Sequence, residues 1–65
     1  MNIYVKRQAE KHFDKLKTNL NKTEAYHEMV GYVDALFQLG FINFKELILW
    51  YTDLEIWYYA EVCHL

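Results

Sequence analysis

Five consecutive residues, Leu39-Gly40-Phe41-Ile42-Asn43, end one helix and begin the next, and they constrain this chain more than anything else in it. Gly40 suits the left-handed position just past a helix end, and Phe41 beyond it can pack back on Leu36. Asn43 suits the N-cap of the following helix, with Glu46 three residues on and with Ile42 and Leu47 placed to close across the cap. The stretch predicts a tight Gly-Phe-Ile-Asn corner between two helices. With no proline and one further glycine, Gly31, the chain has few other places to break.

The other interruption is Thr18-Asn19-Leu20-Asn21. Asn21 can accept a backbone N–H of the next turn, and Glu24 then lies at the positive end of the helix dipole. The two breaks predict an all-α, compact three-helix domain, with helices over about 3–18, 22–39 and 44–63 of one unit spanning 1–65.

Each helix shows a core stripe. In the first, Val5, Ala9, Phe13, Leu16 and Leu20 fall within about 80° of arc at 100° per residue, with charge on the other side. In the second, Ala25, Tyr26, Met29, Val30, Tyr32, Val33, Leu36, Phe37 and Leu39 cover half the circumference, as a middle helix with two neighbours requires. The third has Phe44, Leu47, Ile48, Tyr51, Leu54, Tyr58 and Val62 as its core line, with Trp50 and Trp57 to one side.

The third helix also carries a second apolar line on its opposite side: Leu49, Thr52, Ile56, Tyr59 and Cys63. Steps of three and four residues are those of a helix–helix seam. A helix with two apolar faces cannot bury both in a three-helix monomer unless it lies between the other two and is covered on both sides. The expectation is therefore a partner-binding surface on Leu49, Thr52, Ile56, Tyr59 and Cys63, extended by Trp50 and Trp57, since Trp and Tyr dominate interface hot spots.

Composition points the same way. Hydrophobic residues make up 54% of the 65 residues and aromatics 18%, more than so short a chain can hide. Cys63 is the single cysteine, so no intrachain disulfide staples the fold, and no ligands stand at tight zinc spacing. The surplus is expected to go into association, as a homodimer or on a larger protein.

The formal net charge of −2 gives no general pull towards nucleic acid or anionic lipid, but its distribution is uneven. Residues 1–22 carry Lys6, Arg7, Lys11, Lys15, Lys17 and Lys22 against Glu10 and Asp14. Residues 23–65 carry Lys45 against Glu24, Glu28, Asp34, Glu46, Asp53, Glu55 and Glu61. The alternative function is a small dimeric helix-turn-helix-like regulator, contacting DNA phosphates through Lys6, Arg7, Lys11, Lys15 and Lys17. The third helix argues against base reading, because Asn43 and Lys45 are followed by Glu46, Asp53 and Glu55.

Other chemistry finds little support. Glu24-Ala25-Tyr26-His27 has the spacing of half a di-iron site but lies on the polar side of its helix. Cys63 and His64 are adjacent in sequence, and successive helical residues point about 100° apart, a poor dyad. Neither a catalytic set nor a phosphate loop is present, so the expectation is a non-enzyme with no cofactor, no metal and no small-molecule substrate. Gly31 and Ala35 stand one turn apart on the polar side of the second helix and could admit a close backbone approach. No apolar run suits a signal peptide or a membrane span, which with the single thiol suggests the cytoplasm. In style, such a chain is similar to short accessory proteins of phages and mobile elements, including inhibitors of host systems.

Overall fold

The computed structural model describes residues 2–62 as three helices: α1 Ile3–Leu16, α2 Lys22–Gln38 and α3 Phe44–Val62. Each begins at an asparagine. Asn2 Oδ1 accepts the Tyr4 N–H at 2.7 Å, and Asn21 Oδ1 accepts the Glu24 N–H at 3.0 Å. At α3 the exchange is reciprocal: Asn43 Oδ1 accepts the Glu46 N–H at 2.8 Å, and Glu46 Oε1 accepts the Asn43 N–H at 3.0 Å. That capping box satisfies two backbone donors that the first turn would otherwise leave unpaired.

The corner before α3 is closed by two bonds. The Phe41 N–H donates to the Leu36 carbonyl at 2.9 Å and the Gly40 N–H to the Phe37 carbonyl at 3.1 Å, with Gly40 at φ 83°. This is the Schellman pattern, and it needs a residue that enters the left-handed region without steric cost. Ile42 then drops into the core from the corner itself.

The end of α1 differs from expectation. The helix stops at Leu16, not near Thr18, because the next bonds run i to i+3: Thr18 N–H to the Lys15 carbonyl and Asn19 N–H to that of Leu16. Lys22 crosses the break to donate to the Lys17 carbonyl at 2.7 Å. Tightening the last turn swings Leu20 out of the stripe, and it is 96% exposed rather than buried.

The core is small and runs through all three helices: Ala9, Phe13 and Leu16 from α1, Ala25, Met29 and Val33 from α2, Leu47 and Leu54 from α3, with Ile42 between. α2 is central and packs more extensively on α3 than on α1. Among the described residues no Cα of α1 comes within 8 Å of one in α3. Those two helices instead meet through rings, with Phe13 edge-on to Trp57 at 5.3 Å and to Trp50 at 6.3 Å between centroids. The molecule measures 36 × 20 × 17 Å, one long helix in length and two in breadth.

Candidate protein-docking face

Leu54 is fully buried and, with Leu47, marks the side of α3 that faces the core. Leu49, Thr52, Ile56 and Tyr59 are centred on the opposite side, about 180° round the helix. All four are exposed, with Leu49 at 58%, Ile56 at 65% and Tyr59 at 58%. α3 is therefore not covered on both sides, and its outer seam is open. Cys63, the fifth residue of that line, lies outside the described residues.

Three residues assigned to the core line by spacing join this outer face instead. Phe44, Ile48 and Val62 are exposed large apolar side chains. They lie about 80–120° from the line of Leu54, too far round for α2 to cover them. Phe44 reaches α2 only at its edge, ring to ring with Phe37 at 6.2 Å. At about 200 Å² per fully exposed large side chain, Phe44, Ile48, Leu49, Ile56, Tyr59 and Val62 together offer roughly 700 Å². That approaches the ~800 Å² per partner of a standard protein–protein interface and exceeds the ~300–600 Å² of the largest patch on a typical monomer.

The tryptophans fall elsewhere. Trp50 and Trp57 are half-buried against Phe13 on the side facing α1, so they build the fold, and Trp50 meets the outer seam at a groove it lines with Leu49. The periodicity of one helix says which residues share a face but not where a third helix docks.

Asp53 and Glu55 flank the line of Leu49, Thr52, Ile56 and Tyr59, each about 80° from its midline and on opposite sides, with Glu55 in the same angular row as Phe44, Ile48 and Val62. Spacing singled out neither, since solvated carboxylates are the ordinary filling of an exposed helix. On the Glu55 side, Tyr26 stacks on Tyr58 at 4.5 Å, and the Tyr58 hydroxyl lies 2.9 Å from Thr23 Oγ1. Burial among these neighbours, and after it the Glu55 carboxylate, raises the Tyr26 phenol above the usual tyrosine range.

The five basic residues along α1 and at its C-cap do not form one surface. Lys6 lines an open groove of about 380 Å³ with Glu10, Glu46, Leu49, Trp50 and Asp53. Lys17 sits over the Phe13 ring at 4.3 Å and pairs with Asp14 at 3.7 Å. Arg7, Lys11 and Lys15 remain exposed. The outward row is three residues long, and the other two cations face carboxylates.

Gly31 and Ala35 are both exposed, and a Cβ built at Gly31 would meet nothing within 4 Å. Among the described residues no backbone approaches Gly31 closely. A second groove, of about 240 Å³ and mostly apolar, lies between α1, α2 and the corner, lined by Tyr4, Val5, Gln8, Tyr32, Leu36 and Phe41. Beside it His12 stacks on Tyr32 at 4.4 Å. Among the described residues no helix is long and apolar enough to cross a membrane, and no group of three or more His, Cys, Asp or Glu could hold a metal ion.

Compared as a whole chain, this sequence and fold match no protein-family model, no curated protein and no solved structure.

Proposed function

We propose that this chain is a non-enzymatic protein–protein interaction module that acts by occupying a partner's surface, with the outer face of α3 as its contact. The observation that carries this reading is the open seam of Leu49, Ile56 and Tyr59 on the side of α3 directly opposite Leu54. An exposed apolar band of that size is costly to leave in water, at about 25 cal/mol per Å². Covering it would stabilise both the complex and a domain whose own core is small. The occupant is a second copy or a larger protein, and in either case the effect is steric, as for an inhibitor or an adaptor.

The seam itself is what a test must disturb. Ile56→Glu is expected to keep the helical circular dichroism and thermal midpoint of the wild type, because its side chain projects from the fold. It is also expected to abolish association measured by light scattering across a wide concentration range, or by titration with a binding peptide. If the variant fails to fold, the face is structural and the reading is wrong.

A further inference from the structure

If the outer face of α3 docks a protein, the carboxylates on its borders determine what that protein must bring; this inference rests on the docking reading. α3 has one cation, Lys45 in its first turn, against Glu46, Asp53, Glu55 and Glu61, and its last turn has no basic residue to offset the negative end of the helix dipole. Among the described residues neither Asp53 nor Glu55 forms an ion pair. Lys6 shares a groove with Asp53 and offsets that side in part, while Glu55 lies near Tyr26. Arg7, Lys11 and Lys15 are exposed on α1, on the side of that helix away from its buried Ala9.

This charge pattern disfavours a second copy. Two α3 helices paired antiparallel about a two-fold axis near Leu54 would set Asp53 against Asp53 and Glu55 against Glu55. Paired in parallel, they would set Asp53 against Glu55. Like charges opposed across an interface lower affinity and select against that partner. A cationic border reverses the sign on both sides at once.

We propose that the outer face of α3 receives a helical segment of a different protein, one whose apolar stripe is flanked by lysine and arginine. Leu49 and Ile56 pack on the stripe, and Asp53 and Glu55 each take a cation from one flank. An arginine can do so through two parallel hydrogen bonds.

Two synthetic helical peptides with the same leucine stripe, one flanked by lysine and one by glutamate, test this by calorimetric titration against the full chain. The lysine-flanked peptide is expected to bind at least about tenfold tighter, a difference that shrinks as salt is raised. Asp53→Lys with Glu55→Lys is expected to invert the preference, and Ile56→Ser, which adds no charge, to weaken both peptides. Should the charge reversal disturb folding by circular dichroism, Asp53→Asn with Glu55→Gln is expected to remove the preference instead. Equal affinity for both peptides, lost in Ile56→Ser, would overturn the charge inference while docking stood. A chain that is dimeric by light scattering and binds neither peptide would overturn it in favour of a second copy. A monomer that binds neither would end both readings.

Discussion

At Gly31 an added Cβ meets no atom within 4 Å, and the backbone there is ordinary α2 helix. Gly31→Ala is therefore expected to stabilise the chain by about 1 kcal/mol, the intrinsic helix preference of alanine over glycine, read as a rise in thermal midpoint. Stabilisation accompanied by loss of association would mean that a partner approaches there. Gly40 also has open space around it, yet its φ of 83° makes it a different case. An alanine held in the left-handed region costs about 1–2 kcal/mol, so Gly40→Ala is expected to lower the midpoint although it touches nothing. Two glycines with equally empty surroundings should respond with opposite sign, and backbone conformation alone decides which.

The helices depend on their ends as much as on their faces. Removing the α3 capping box by Asn43→Ala leaves the Glu46 N–H without its side-chain acceptor, and chemical denaturation should show a loss of about 1 kcal/mol. These ends were legible in the sequence because capping is local chemistry: Asn21, Gly40, Asn43 and Glu46 act on residues within one turn. The core line of Ala9, Phe13 and Leu16 was legible for the same reason, but Leu20 was not. Helical spacing continues on paper past the point where the Lys15 and Leu16 carbonyls take i to i+3 bonds and turn the chain outward. Trp50, Trp57, Phe44 and Ile48 mark the other limit. Their angles round α3 follow from the sequence, but whether an angle means core or solvent depends on where α1 and α2 lie. The opposite seam was readable as an apolar line, but that it is open followed only from α2, and not α3, lying at the centre of the fold. Its acidic borders became significant only once the band between them was seen to be open.

Among the described residues nine buried ones hold together a chain whose total stability is about 3–10 kcal/mol for its length. Leu54→Ala, at a site with no exposure and full contact, is expected to cost about 2–5 kcal/mol. That would leave a substantial unfolded fraction by circular dichroism, largely recovered when a ligand covers α3. The stability is also unevenly shared. α1 is held to α3 by the rings of Phe13, Trp50 and Trp57, with no close approach of their backbones, and its contact with α2 is the lesser of α2's two. Native-state hydrogen exchange should accordingly find the amides of α1 opening at lower free energy than those of α2 and α3, as one cooperative unit. The helical hairpin, with the exposed apolar face of α3, would stay intact through that opening. Both tryptophans would enter water together, so their fluorescence would report the loss of α1 before α2 or α3 melts.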